Sequence, residues 1–156
     1  MARRPPPAAV TATLLGSADD VEAQFYQALQ RGDIDSLMAV WADDDEIVCV
    51  HPGGDRVIGA VAIRASFEAI FGNGGIPVRP EQVHRLPLLG GALHHLVERI
   101  EMRSPQGVQT AWVLATNVYI KTPLGWRLAA HHASPGSPQP PSLSEQADGE
   151  APSTLH

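Results

Sequence analysis

The chain has 156 residues, 44% of them hydrophobic, which predicts one folded domain with a sizeable core. Its formal net charge of −6 and scattered basic residues argue against a nucleic-acid surface or an anionic membrane surface as partner. The single cysteine, Cys49, cannot form an intrachain disulfide, and no stretch approaches the roughly 20 apolar residues of a membrane span. These features favour a cytoplasmic location.

The two ends of the chain differ in composition from its middle. Residues 1–16 include three consecutive prolines, and residues 136–156 are rich in Pro, Ser, Gly and acidic residues without any aromatic side chain. Such segments bury too little apolar surface to offset their conformational entropy. We therefore predict disordered tails at 1–16 and 136–156 around one folded domain at 17–135.

Two helices are predicted at the start of the domain. Val21, Phe25 and Leu29 recur every four residues behind a Ser17 N-cap, and Gly32 suits the left-handed position that closes such a helix. Asp33 can cap a second helix, whose apolar positions continue to Trp41. The acidic run at 43–46 lacks the ligand spacing of a calcium loop and is interpreted as a solvated turn.

Strands dominate the rest of the domain. A short β-branched strand at 47–51 and a return strand at 57–58 precede a third helix, marked by apolar residues between 63 and 71. Four long strands are predicted near 81–89, 92–103, 108–122 and 126–134, and their short connections favour antiparallel pairing. The predicted class is α+β, with three N-terminal helices packed on a curved antiparallel sheet around a cone-shaped pocket.

The order of these elements and the turn residues between them resemble the nuclear transport factor 2-like superfamily, within its SnoaL-like and ketosteroid isomerase-like subgroup of uncharacterised proteins. The segments that carry the resemblance are Gly32-Asp33, Trp41-Ala42-Asp43-Asp44, His51-Pro52-Gly53-Gly54, Gly59 to Arg64, Ala115 to Val118, and Gly125-Trp126-Arg127 leading to His131-His132-Ala133-Ser134-Pro135. The last strand is also similar to that of the calcium/calmodulin-dependent protein kinase II association domain. The resemblance covers 17–135.

The resemblance to ketosteroid isomerases implies a set of site residues. Their proton-moving Asp, which directly precedes a Pro, corresponds to His51 here. Their Tyr donor falls on Phe25, and their protonated Asp donor falls on Asn117. Because Phe25 donates no hydrogen bond and an amide is a weaker donor than a neutral carboxyl group, steroid isomerisation by the family mechanism is not expected.

Further residues are expected around the predicted pocket. His131 and His132 are adjacent on a strand, so their side chains point to opposite faces. Counted from the Gly125 turn, the resemblance implies that His132 faces the pocket and His131 faces outward. The expected catalytic residues are His51 and Asn117, and the expected ligand-binding residues are Phe25, Trp41, His51, Asn117 and His132.

Metal and cofactor sites are not expected. The sequence lacks His-x-Glu, Cys-x-x-Cys and His-Glu-x-x-His spacings, phosphate-binding glycine loops and dinucleotide motifs. Cys49 lies in mid-strand and is interpreted as a buried structural thiol.

Three functions remain open from the sequence. One is a domain that holds a small, mostly apolar or carbonyl-containing molecule in its cone. The second is an isomerase- or cyclase-like enzyme with His51 as general base, and the third is a homo-oligomerisation module. Both parities of the strand at 108–120 are largely apolar, which predicts a homodimer through the outer face of the sheet.

Overall fold

The computed structural model describes residues 15–144. Its helices are α1 (Ala18–Arg31), α2 (Ile34–Ala39) and α3 (Ala60–Phe71). Its strands are β1 (Val48–Val50), β2 (Arg56–Ile58), β3 (Val78–Leu88), β4 (Gly91–Ser104), β5 (Gly107–Thr122) and β6 (Gly125–Ala133). The strands form one sheet in the order β2-β1-β6-β5-β4-β3, with the three helices packed on it. The predicted α+β class is confirmed.

The helix caps follow the sequence signals. The Ser17 side chain accepts a hydrogen bond from the Asp20 amide, and Gly32 closes α1 with φ of 66°. Asp33 caps α2 by accepting from the Ser36 amide. The apolar pattern predicted α2 to continue to Trp41, but the helix ends at Ala39 because Trp41 leaves it to form a β-bridge with Leu128.

The sheet is mixed, although the prediction was purely antiparallel. The pairs β3–β4, β4–β5 and β5–β6 are antiparallel neighbours joined by tight turns, whereas β1 runs parallel to β6, with Cys49 opposite His131. Between the β5 positions Val118 and Tyr119 the β5–β6 register shifts, which leaves Ala129 unpaired on β6. Such a bulge turns the following side chains to the opposite face.

The core lies between α1, α3 and the inner face of the sheet. Its largest fully buried side chains include Phe25 and Tyr26 from α1, Phe67 from α3 and Tyr119 from β5. On β5 the odd-numbered positions from Val113 to Tyr119 are buried, while their even-numbered neighbours are half-buried or exposed. This alternation directs Asn117 into the interior. Within the described residues, no helix is long and apolar enough to cross a membrane.

The folded unit is longer at both ends than the predicted range of 17–135. Leu15 is only 3% exposed, and its carbonyl accepts a hydrogen bond from the Trp126 amide at 2.9 Å. Beyond Pro135, Ser137 exchanges two backbone hydrogen bonds with Trp112, each 2.9 Å long. The remaining parts of the predicted tails, 1–14 and 145–156, lie outside the described residues.

Replacement of Leu15 by Ala should destabilise the domain although it lies in the predicted tail. Loss of a buried leucine side chain typically costs about 2–5 kcal/mol, and we expect the lower half of that range because Leu15 lies at the edge of the core. Chemical denaturation measures the free energy of unfolding. Leu124→Ala is the matched control, because Leu124 is 74% exposed. Equal stability of the two variants would contradict the assignment of Leu15 to the core.

Candidate functional site

Four buried polar side chains meet beneath α1. The Tyr26 hydroxyl donates to Glu98 Oε2 at 2.7 Å and accepts from Asn117 Nδ2 at 3.1 Å. Asn117 Oδ1 in turn accepts a hydrogen bond from His131 Nδ1, and His131 Nε2 lies 3.9 Å from Glu98 Oε2. All four residues are buried. Three hydrogen bonds join them into a chain from Glu98 through Tyr26 and Asn117 to His131, whose far nitrogen returns to within 3.9 Å of Glu98. We call this set, with contributions from α1, β4, β5 and β6, the inner cluster.

Burial determines the protonation of the inner cluster. Desolvation raises the pKa of Glu98 from 4.5 to about 7, although the hydrogen bond from Tyr26 opposes this shift. Burial, together with the negative charge of Glu98, raises the pKa of Tyr26 well above its ordinary value. Burial lowers the pKa of His131 to about 3, and the positive charges of His51 and His132 act in the same direction. At neutral pH the cluster therefore holds a neutral imidazole, a neutral phenol and a carboxyl group that can exchange a proton.

A second group of buried polar side chains, Glu22, His94 and Tyr119, adjoins the inner cluster. Glu22 Oε1 lies 3.0 Å from His94 Nδ1 and accepts a hydrogen bond from the Tyr119 hydroxyl at 3.1 Å. His94 is paired with Asn117 across the β4–β5 ladder, so the two groups are neighbours on the inner face of the sheet. We call this set the Glu22 triad.

His51, the expected general base, is half-buried just beyond the end of β1. Its Nε2 lies 2.9 Å from the Ser66 hydroxyl, which itself donates to the Ile63 carbonyl. Burial lowers the pKa of the His51 imidazole, so the ring is predominantly neutral at pH 7. Among the described residues no hydrogen bond joins His51 to Asn117 or His132, the other polar residues of the expected ligand-binding set.

A series of aromatic contacts leads from His51 to the inner cluster. Phe67 packs edge-on against His51 with ring centroids 4.7 Å apart and lies 6.3 Å from Phe25. Phe25 in turn lies 5.1 Å from the His131 ring. The expected ligand-binding residue Phe25 is therefore a fully buried wall of the inner cluster.

Trp41, another expected ligand-binding residue, packs edge-on against Phe25, with the two ring centroids 6.4 Å apart. It lines an open cleft of about 320 Å³ between α2 and α3, together with Met38, Ala42, Asp43, Ala60, Val61 and Arg64. Its indole Nε1 is buried and has no hydrogen-bond partner within the described part of the chain. Trp41 is thus close to Phe25 but belongs to a separate surface cleft.

The expected orientation of the two adjacent histidines is wrong. His131 is buried in the inner cluster, whereas His132 is exposed on the outer face of the sheet, opposite Thr116. Counting from the Gly125 turn assumed an uninterrupted strand, and the unpaired Ala129 reverses the alternation beyond it. His132 therefore cannot line an interior pocket.

The sequence interpretation missed Tyr26, Glu98 and His131. The family's tyrosine position corresponds to Phe25, but the next residue of α1 brings a phenol into the interior. A usable signal for Glu98 was its even-numbered position on β4, which places it on the same face as His94, Leu96 and Ile100. Cys49 is buried as expected, and desolvation raises the pKa of its thiol to about 12, which makes it a poor nucleophile.

Comparison with known proteins relates this geometry to a family. The model of the SnoaL-like domain matches residues 19–138. A candidate calcium/calmodulin-dependent protein kinase type II association domain from Thiobacillus denitrificans is 31% identical, with a TM-score of 0.71 over 78% of this chain and 96% of that chain. A candidate dehydratase of the NTF2-like family from Streptomyces avermitilis is 32% identical, with a TM-score of 0.66 over 74% and 91%.

An NTF2-like protein with a cystatin-like fold from Novosphingobium aromaticivorans is 14% identical and shares the fold, with a TM-score of 0.63 over 85% of this chain and 80% of that one. No curated protein sequence matches the chain.

The raised pKa of Glu98 predicts a specific pH dependence of stability. Between pH 4.5 and about 7 the unfolded state loses the Glu98 proton while the folded state keeps it, so this group destabilises the fold as the pH rises. The difference between the two pKa values of Glu98, 4.5 in the unfolded and about 7 in the folded state, corresponds to about 3 kcal/mol of unfolding free energy. Glu98→Gln should therefore gain about that much stability relative to the unmodified protein between pH 4.5 and pH 8.

Denaturant titrations at both pH values measure this difference, in which the contribution of His131 cancels because both proteins contain it. Glu46→Gln is the control, because Glu46 is exposed and should show no such gain. A pH-independent difference between Glu98→Gln and the unmodified protein would show that Glu98 titrates normally.

Proposed function

The chain belongs to the SnoaL-like domain family, and we propose that it is an acid–base enzyme that moves a proton on a small carbonyl-containing molecule bound in its cone. The inner cluster is the proposed site, and Glu98 is the group that moves the proton. The rings of Phe25 and Phe67 provide the apolar wall against which the hydrocarbon part of the molecule would pack.

The burial of the Glu98 carboxyl group is the observation that carries this proposal. A buried carboxylate destabilises the fold unless a cation neutralises its charge. Among the described residues, the arginines that form salt bridges pair with surface carboxylates and not with Glu98. Its raised pKa lies close to neutral pH, where a general acid–base group is most effective. Strongly shifted groups next to hydrogen-bond donors are typical of active sites.

The remaining members of the inner cluster have roles that follow from their hydrogen bonds. When the ligand carbonyl binds, Tyr26 redirects its hydroxyl from Glu98 to the carbonyl oxygen. The released Glu98 carboxylate takes a proton from the adjacent carbon, and the electron pair of that C–H bond moves onto the oxygen as an enolate stabilised by Tyr26. Return of the proton to another carbon completes an isomerisation. Asn117 donates to the Tyr26 oxygen and is itself held by the hydrogen bond from His131.

Access to the inner cluster requires movement of the aromatic wall. Phe67 lies between half-buried His51 and the fully buried Phe25, so rotation of its ring would connect the His51 side of the domain with the cluster. His51 is the alternative general base, as the family position implies. It is the less favoured one, because among the described residues it makes no hydrogen bond to the donors of the inner cluster.

Proton exchange at carbon tests the proposal directly. Small ketones and β,γ-unsaturated carbonyl compounds are incubated with the protein in D2O, and deuterium uptake next to the carbonyl group is followed by mass spectrometry. Glu98→Gln should abolish the catalysed exchange, and Tyr26→Phe should slow it about 100- to 1,000-fold because it removes the donor to the enolate oxygen.

His51→Gln separates the two candidate bases. We expect this variant to keep most of the exchange activity, and exposed Glu46→Gln to keep all of it. Loss of exchange in His51→Gln together with full activity in Glu98→Gln would assign the base to His51 instead.

Self-association through the outer face of the sheet is a second proposed function. Leu86 on β3, Leu93 on β4 and Val118 on β5 face the same side in adjacent register, and Leu114, four residues before Val118 on the same face, is 36% exposed. A contiguous apolar surface of this kind is typical of a protein interface. The similarity to a candidate kinase association domain at 31% identity supports self-association, and we propose a homodimer.

Leu114→Glu should convert the proposed dimer into a monomer, because it places two charges in the apolar contact between copies. Light scattering and sedimentation at micromolar concentration measure the change. Val61→Glu is the control, because Val61 is 86% exposed on α3 and lies away from the sheet. A monomeric unmodified protein would contradict this proposal, without any consequence for the acid–base site.

A further inference from the structure

Two acidic side chains of α1 and one histidine of β4 lie together on the inner side of the sheet. Asp19 and Glu22 are three residues apart on α1 and therefore lie on the same side of the helix, which faces His94 on β4. One carboxylate oxygen from each acid and one ring nitrogen of His94 all lie within 4.8 Å of one another. The sequence shows no hint of this group because His94 lies 72 residues beyond Glu22 and the three residues follow no metal-binding spacing.

The ligand atoms are preorganised by burial. Glu22 and His94 are both more than nine-tenths buried, so their side chains are held by packing. The Tyr119 hydroxyl donates to Glu22 Oε1, which is the kind of outer hydrogen bond that orients a ligating carboxylate. The second oxygen, Glu22 Oε2, accepts no hydrogen bond from the residues that the structure describes. This buried carboxylate therefore keeps an unused lone-pair site.

The Asp19 carboxylate gives the group an opening to solvent. Asp19 is exposed and lies at the start of α1, where Arg85 on β3 pairs with its Oδ1 at 2.9 Å. The guanidinium therefore competes with any cation for the Asp19 oxygen. Such exposed pairs contribute little stability, so displacement of Arg85 is inexpensive.

We propose that Asp19, Glu22 and His94 bind one divalent transition-metal ion, with Zn²⁺ as the representative case. One imidazole nitrogen with two carboxylate oxygens suits Zn²⁺ and its first-row neighbours better than Mg²⁺, which prefers an all-oxygen shell. The ion replaces the proton between His94 Nδ1 and Glu22 Oε1, and Arg85 moves off Asp19. Three protein ligands leave a further position for water. This inference is independent of the acid–base proposal.

Zinc binding to the full-length, chelator-treated protein tests the inference. Isothermal titration calorimetry with ZnCl₂ should show one Zn²⁺ bound tightly per chain, which we call the tight equivalent. MgCl₂ at the same concentration should not displace this ion. Asp19→Asn should weaken this equivalent at least ten-fold, whereas Asp20→Asn, with the same charge change on the same helical turn, should leave it unchanged. Arg85→Gln should tighten it about two- to five-fold, because it removes the competing cation.

Exposed histidines are the principal alternative source of zinc binding. His84 and His95 face each other across the β3–β4 ladder, so His84→Gln is the matched control and should leave the tight equivalent intact. Three outcomes would each overturn the inference. They are equal zinc affinity of Asp19→Asn and Asp20→Asn, loss of the tight equivalent in His84→Gln, and no zinc uptake by the unmodified protein. Circular dichroism and unfolding curves of the metal-free variants verify that each is folded.

Discussion

A single unpaired residue on β6 determines which side chains fill the interior. Ala129 has no partner on β5, and beyond it the alternation of the strand is reversed. His131 therefore reaches Asn117 beneath α1, while His132 faces out beside Thr116. Without this irregularity the strand would place His132 inside and remove the imidazole that holds the Asn117 amide. The identity of the inner cluster thus depends on backbone register more than on the choice of any one side chain.

The interior contains two buried carboxyl groups with similar hydrogen-bond partners. Glu98 and Glu22 are both buried, and each accepts a hydrogen bond from a tyrosine hydroxyl and lies close to an imidazole ring. The two arrangements resemble each other and are almost equally buried, with Glu98 4% and Glu22 6% exposed. They differ in their neighbours, because Glu98 belongs to the inner cluster whereas Glu22 adjoins exposed Asp19. One scaffold therefore presents one carboxyl group suited to proton exchange and another within reach of solvent cations.

Much of the fold could be predicted from the sequence, because local signals coincide with the final elements. Ser17, Gly32 and Asp33 mark helix ends by their own chemistry, and the glycine-containing turns separate the long strands. Asn117 could be placed inside through the resemblance to the ketosteroid isomerases, because both parities of β5 are largely apolar and do not distinguish the two faces. The bulge, by contrast, leaves no local signal at Ala129. Tyr26 was overlooked because the family position falls on its neighbour, and the partners Glu98 and His94 are 72 residues away from the α1 residues that they contact.

The pairing of Ser137 with Trp112 has a consequence for the behaviour of the protein at high concentration. β5 extends well beyond the end of β6, so part of it would otherwise present unpaired amides and carbonyls as a template for strand addition by another molecule. The returning chain occupies that edge. Pro135 and Pro138 on either side of Ser137 lack amide donors and cannot continue a ladder. This short segment therefore protects the sheet against edge-to-edge aggregation.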